Sequence, residues 1–463
     1  MGSMIGGFVG IRHLSTRMGL VAVLLVAFVA ALAGAAPGVA RVMPVASADA
    51  SGWHAQSTAL PNHNLTDVSF VDASHGWAVG YAEDLPLDEG NLRGVILATT
   101  DGGLTWSPQN PPAGTSQFQG VSFVDASHGW VVGGLTMLAT ADGGVTWAPQ
   151  GLPADIVSNH GSLHAVTFTD ADHGWAVGND WESGAFIAAT SDGGAHWAAQ
   201  NPPAGVTELQ GVSFVDANRG WAVGWTESEV TIIATTDGGA SWNAQNVPSG
   251  LDTLFSVSAV DGNHCWVGGT NAILATANGG TTWAEQSAKD ASLQEQGICF
   301  IDTTHGWAVG TDGILATSDG GTTWSPQRVP PEGEGVLHSV TATDATHAWA
   351  VGVVDYGTAQ ERGVVLRTTN GGAAPVQTPP RITKLTPASA KRGALVVITG
   401  TDFGTVRGAS TVRFGSTKCA RYASWGDTLV KCRVPAKAKY GKVTVTVTTT
   451  AGKSNVVSFT VKR

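Results

Sequence analysis

The sequence predicts an all-β protein, a seven-bladed β-propeller followed by a C-terminal immunoglobulin-like β-sandwich. Three observations carry this. A Trp-centred motif recurs seven times at a blade-sized interval, a Gly-Gly turn recurs with it, and after residue 380 both the charge and the pattern change. The composition agrees: only 13% of the 463 residues are charged, with 61 Gly and 17 Trp. That balance excludes a disordered chain, a coiled coil or a helical bundle and favours many short strands joined by tight turns.

The first half of the repeat, V-S-F-V-D-A-S-H-G-W-A-V-G, is centred on Trp77 and recurs at Trp130, Trp175, Trp221, Trp266, Trp307 and Trp349. The spacings, 41 to 53 residues, are those of a four-stranded blade. In the first unit, period-2 alternation predicts strands over 68–72, 77–80 and 95–99 and a fourth from Trp106. The second half ends in Asp/Asn-Gly-Gly turns beginning at Asp101, Asp142, Asp192, Asp237, Asn278, Asp319 and Asn370. Asp and Asn accept hydrogen bonds from the amides that follow them, and Gly tolerates positive φ, so these residues read as structural. The seventh unit has Pro375 where the others have Trp, whereas residues 51–56 (S-G-W-H-A-Q) match an outer strand without a blade of their own. The N-terminal strand is therefore expected to complete the last blade and remove the ring's open edges.

Residues 1–50 read as an export signal. Arg12, His13 and Arg17 precede an apolar run over 18–36, with A-x-A patterns at 46–50. An uncleaved membrane anchor is the alternative. The chain is expected to be secreted or held at the cell surface. In that setting Cys419 and Cys432 are the disulfide candidate, while Cys265 and Cys299 either pair or stay as buried thiols.

The charge is divided. Residues 51–379 hold 6 Lys and Arg against 33 Asp and Glu, a net of −27, whereas 380–463 hold 16 against 2, a net of +14. So acidic a body repels phosphates, which excludes nucleic acid as its ligand. A Pro-rich linker over 375–380 separates the propeller, 51–374, from 381–463, where alternating strands and frequent turns predict the sandwich. Its positive charge suits an anionic cell-envelope polymer or headgroup.

The stretch Thr99-Thr100-Asp101-Gly102-Gly103-Leu104-Thr105-Trp106 resembles the Asp-box of bacterial sialidases, sortilin-type receptors and xyloglucan hydrolases. Combined with H-G-W-A-V-G, it is most similar to the propeller of the photosystem II stability/assembly factor family. Residues 396–400 (V-V-I-T-G), 402–404 (D-F-G), 412–415 (V-R-F-G) and 434–435 (V-P) resemble an IPT/TIG domain. The first resemblance implies protein binding as the propeller's task. The arginine-rich patch through which that family binds has no counterpart in this acidic propeller.

The connections between second and third strands are longest in units 1, 3, 4 and 7, on the end opposite the Asp-boxes. They bring together Asp84, Asp88, Glu89, Trp181, Glu182, Trp225, Glu227, Tyr356 and Arg362 as candidate ligand-binding residues for a protein or carbohydrate. No catalytic residue, metal or cofactor is expected. The turn histidines come one per blade, which makes a ring rather than a coordination sphere. A sialidase would need an arginine cluster that this propeller lacks. The expected function is that of an exported, non-enzymatic, monomeric binding or assembly scaffold. The alternative is a xyloglucanase-like two-carboxylate glycoside hydrolase drawing on Asp84, Glu89, Glu182 and Glu227, with the TIG-like module as an accessory domain.

Overall fold

The computed structural model describes the chain except for residues 1–51, 59, 61–62, 84–91, 155–160, 271, 287–296, 312, 356–360, 373–378, 405–406, 408–409 and 450–451. The expected export signal, residues 1–50, thus lies outside the described residues. Among the described residues, seven four-stranded antiparallel sheets form between Trp53 and Thr368. Blade 1 comprises His63–Phe70, Gly76–Glu83, Leu92–Thr99 and Ser107–Pro108, and the next five blades repeat this order with first strands Gly120–Phe123, Gly161–Phe168, Val206–Phe214, Leu254–Ala259 and Gly297–Phe300. First strands of successive blades touch, and that of the seventh, Gly335–Ala342, touches that of the first. The ring is closed.

Closure is by the N-terminal strand. Trp53–Gln56 pairs antiparallel with Arg362–Thr368, in the register Trp53 to Thr368 through Gln56 to Val365, and supplies the fourth strand of blade 7. Trp53 is fully buried and lies beside Gly372, as Trp106 lies beside Gly103 in blade 1. It takes the place that Pro375 vacates in the repeat.

Two boundaries differ from expectation for one physical reason. The first strand of blade 1 ends at Phe70, because Asp72 turns its carboxylate onto the amides of Ser74 and His75 and leaves the ladder. The long connections expected in units 3 and 4 shrink to the short turns 181–183 and 227–229. Asn179 and Asp180 continue Gly174–Asp180, and Trp225 lies within Gly220–Thr226, because a backbone that leaves the core keeps its hydrogen bonds by lengthening the hairpin.

Blades are cemented by a repeated aromatic sandwich. The motif Trp of one blade stacks on a Phe that ends the next blade's first strand, as in Trp77 on Phe123 (3.5 Å, 3°), Trp130 on Phe168, Trp175 on Phe214, Trp266 on Phe300 and, across the closure, Trp349 on Phe70. The Asp-box Trp of that next blade meets the Phe edge-on, for example Phe123 and Trp147 at 87°. Each Phe lies opposite a Gly in the ladder, Phe70 opposite Gly76, where a Cβ would fall 2.4 Å from the ring. Blades 5 and 7 have no such Phe. They place Ala259 opposite Cys265 and Ala342 opposite Ala348, a small side chain on each strand. The indoles of Trp77, Trp130, Trp175, Trp266 and Trp349 donate to a turn glycine carbonyl of the next blade, Trp349 to Gly102 at 2.9 Å. Trp221 and Trp307, which face the two Phe-less blades, leave their buried Nε1 unpaired.

The C-terminal module packs two sheets. One runs Arg381–Thr386, Leu395–Thr401, Leu429–Arg433, Tyr422–Trp425, and the other places Gly441–Thr449 between Val457–Lys462 and Thr411–Phe414. Val396, Ile398, Phe403, Phe414, Val430, Val445 and Phe459 fill the space between them. Cys419 and Cys432, the expected disulfide, are two buried thiols without an S–S bond, and the Cys419 thiol lies 3.5 and 3.2 Å from the carbonyls of Arg421 and Arg433. Cys265 and Cys299, on blades 5 and 6, are also unbonded.

Candidate functional site

The two ends of the propeller are built differently. At one end each Asp-box residue is occupied by its own turn. Asp142 takes the amide and hydroxyl of Thr146 at 2.9 and 2.6 Å and the hydroxyl of Thr140 at 2.8 Å, while Gly143 and Gly144, at φ 72° and 93°, permit the tight return. Asp101, Asp192, Asp237 and Asp319 repeat the pattern, and Asn278 and Asn370 accept the equivalent Thr hydroxyls. Hydrogen bonds from the residue four ahead pull Asp142, Asp192 and Asp237 down to about 2. The neighbouring turn holds its histidine likewise: His75 Nδ1 lies 2.9 Å from Asp72 Oδ2, and Asp125, Asp170, Asp261, Asp302 and Asp344 do the same for their histidines. The two turns of a blade are tied together, Gly102 N donating to Ser74 O at 2.8 Å. Among the described residues no group of three or more His, Cys, Asp or Glu is placed to hold a metal.

The opposite end carries the hairpins. Of the sequence candidates, Asp84, Asp88, Glu89 and Tyr356 lie outside the described residues. Trp181 stands at the tip of the blade 3 hairpin and is 73% exposed. The buried Asp180 accepts from the amides of Glu182 and Ser183, both at 2.9 Å, which braces the backbone of the turn that presents the indole. The blade 4 hairpin is capped by Thr226, whose Oγ1 accepts from the amides of Ser228 and Glu229 and presents Glu227 to solvent. Trp225 is half-buried in its strand, so it is not the loop residue the spacing suggested. Arg362 lies 3.7 Å from Asp355, on blade 7.

The structure adds residues that the repeat concealed. The first strands of blades 1, 3, 5 and 7 each bulge by one residue, at Thr66, His164, Phe255 and His338, and that of blade 4 bulges twice, at Thr207 and Gln210. A bulge re-aims its side chain, here onto the adjoining blade. Thr66 donates to Phe118 O at 2.9 Å and His164 Nδ1 sits 3.1 Å from Leu209 O, in each case the carbonyl one residue before the matching position of the next blade. Beside them, Glu208 of blade 4 accepts from Gln210 Nε2 at 2.5 Å and approaches His164 Nδ1 at 3.8 Å. Burial raises the Glu208 carboxyl and pushes the His164 imidazole down to about 4. The only sequence signal was the polar run preceding V-S-F, which the motif does not include.

Fold and ends together define an Asp-box β-propeller, closed by its N-terminal strand and followed by an immunoglobulin-like module. The family model described as photosynthesis system II assembly factor YCF48 matches residues 45–148 and 205–293, and that of the IPT/TIG domain matches 380–461. The propeller resembles that assembly-factor family, and the C-terminal module is an IPT/TIG domain. Similar solved structures include YCF48 bound to D1 peptide, 20% identical with a TM-score of 0.53 over 69% of this chain and 95% of that one. YCF48 from Cyanidioschyzon merolae is 21% identical, with a TM-score of 0.50 over 68% and 98%. Virginiamycin B lyase from Staphylococcus aureus, 12% identical, also reaches 0.50 over 68% and 98%. At these identities the likeness is one of fold. No curated protein matches the chain.

Proposed function

We propose that this chain is an exported, non-enzymatic binding or assembly scaffold that presents the hairpin end of its propeller to a protein ligand. The observation that carries this reading is the difference between the two ends. The Asp-box carboxylates are engaged within their own turns, whereas the hairpin end holds a turn-braced, solvent-exposed Trp181 beside acidic hairpins. Exposed aromatics are the usual anchors of protein recognition. The solved YCF48 with a D1 peptide supports a peptide as the kind of ligand that such a propeller takes. Export rests on the apolar N-terminal segment, and the IPT/TIG module, with its net charge of +14, would hold the chain to an anionic cell-envelope polymer through contacts that weaken as salt rises.

The test is a protein and glycan array probed with the full chain, with a hairpin variant (Trp181→Ala with Glu227→Ala) and with a turn variant (Asp142→Ala with Asp319→Ala). Protein spots should bind the wild type and lose the hairpin variant at an unchanged melting temperature. Loss of binding by the turn variant at full stability would place the functional face at the other end, and exclusive binding to glycans would remove the protein ligand.

A further inference from the structure

We infer that the rim between blades 3 and 4 is a subsite for a lysine or arginine side chain of the protein ligand, with Trp181 as its exposed wall and the Glu208 carboxylate as its charged floor. This rests on the scaffold reading above and names the chemistry of its partner.

The two groups come from neighbouring segments. Trp181 belongs to the turn closed by Gly184, and a Cβ on Gly184 would lie 3.1 Å from Val206 O and 3.8 Å from the Cα of Thr207. Thr207 adjoins Glu208 and donates from Oγ1 to Trp225 O at 3.1 Å, which ties the first strand of blade 4 to its hairpin. The Trp181 turn thus lies against the start of the first strand of blade 4, two residues before Glu208, whose ladder partner is Trp225, and Glu182, Glu227 and Glu229 stand in the two hairpin turns.

Glu208 is the unusual member. Its carboxylate is withdrawn from water, only 18% exposed, yet its partners are the neutral amide of Gln210 and, at 3.8 Å, an imidazole that burial keeps neutral near pH 7 and whose Nδ1 is already within hydrogen-bonding distance of Leu209 O. A half-enclosed negative charge among neutral neighbours is stabilised by an incoming cation. No basic side chain of these blades can play that part: across residues 161–244 the sole Lys or Arg is Arg219, in the turn at the opposite end, where its Nη1 reaches Gly262 O. The exposed indole adds a face on which a guanidinium or ammonium stacks favourably, and the net −27 of the propeller steers cations toward it. Charge complementarity therefore selects a basic peptide over a neutral one.

The experiment exposes the full chain to a displayed library of random dodecapeptides. Enriched sequences are resynthesised with arginine replaced by citrulline, its neutral isostere, or lysine by norleucine, and binding is read by fluorescence anisotropy. The expected result is enrichment of peptides with Lys or Arg, about tenfold weaker binding of the neutral analogues, and a similar loss for Trp181→Ala and for Glu208→Gln, each about one charge-assisted contact. Affinity should also fall as salt rises. Glu208→Gln is isosteric and removes a desolvated charge, so its unaltered circular dichroism melt separates lost binding from lost fold. Enriched peptides without basic residues, or neutral analogues that bind as well, overturn the cation subsite and leave the scaffold reading standing. A library that yields no binder overturns the scaffold reading, and the subsite with it.

Discussion

In blades 5 and 7 the Phe–Gly pair at the end of the first strand gives way to two small side chains, one on each strand. Ala259 faces Cys265 and Ala342 faces Ala348, where the others set Phe against Gly. The two positions should therefore be coupled. Ala342→Phe alone crowds the Ala348 side chain and is expected to cost about 1–3 kcal/mol by overpacking. Adding Ala348→Gly should recover at least about 1 kcal/mol, a coupling read by a double-mutant cycle in denaturant. Additive changes would show that the pairing is not energetic. Asp67 is a second residue-level case. It accepts from Ser339 Oγ, Val121 N and Val68 N at the junction of blades 1, 2 and 7, and desolvation outweighs these bonds and raises its carboxyl to about 6. The folded state thus holds this proton more tightly than the unfolded chain, where the value is 3.8. Its contribution to stability is fully present below about pH 4 and is lost as pH rises through about 6. Asp67→Ser, which installs the residue found at the matching Ser256 and Ser339, should flatten that slope and raise the melting temperature at pH 7, on the order of 1–2 kcal/mol. A wild-type melting temperature that does not change between pH 4 and pH 7 would contradict this.

At the level of the element, the Asp-box turn and the hairpin answer to different demands. The turn is self-contained: Asp142 engages Thr140 and Thr146 whether or not a ligand is present. Asp142→Ala should lower the melting temperature and leave peptide binding intact, while Trp181→Ala should do the reverse, a crossing of effects visible by calorimetry and anisotropy together. The depressed carboxyls of Asp142, Asp192 and Asp237 add an acid limit. Their stabilisation is present above about pH 4 and fades as pH falls toward about 2. The turns were legible in the sequence because Asp-Gly-Gly has one local solution, with two successive glycines at positive φ. The hairpins were not, since lengthening a strand and inserting a loop leave the same trace in spacing. That is why Trp225 was placed in a loop and Glu208 was passed over.

For the whole molecule, ring closure is the feature on which cooperativity depends. Trp53–Gln56 supplies the fourth strand of blade 7 and places Trp53 in one buried cluster with Trp307, Leu337 and Leu366. Trp53→Ala should cost about 3–5 kcal/mol. Deleting residues 51–57 should cost at least as much, because blade 7 is left with an open edge. A deletion with the wild-type melting temperature would mean that the ring does not need its closing strand. The charge division acts at the same scale. An acidic propeller joined to a basic IPT/TIG domain presents opposite fields to its surroundings, and only the first suits a cationic ligand.

The sequence by itself determined the blade count, the Asp-box turns, the need for an N-terminal strand to complete the ring, and the change to a basic sandwich. Each of these is local or periodic, set by turn chemistry, alternation and composition within one repeat. Tertiary structure alone decided what happens between repeats: which Trp stacks on which Phe, where Ala and Cys265 share a volume that Phe and Gly share elsewhere, and how Glu208 of blade 4 comes beside His164 and the Trp181 hairpin of blade 3. The contacts between blades, such as Trp130 with Phe168 and His164 with Glu208, join different repeats, and the spacing within one repeat does not record them, because a bulge of one residue re-aims a side chain without altering the repeat that carries it.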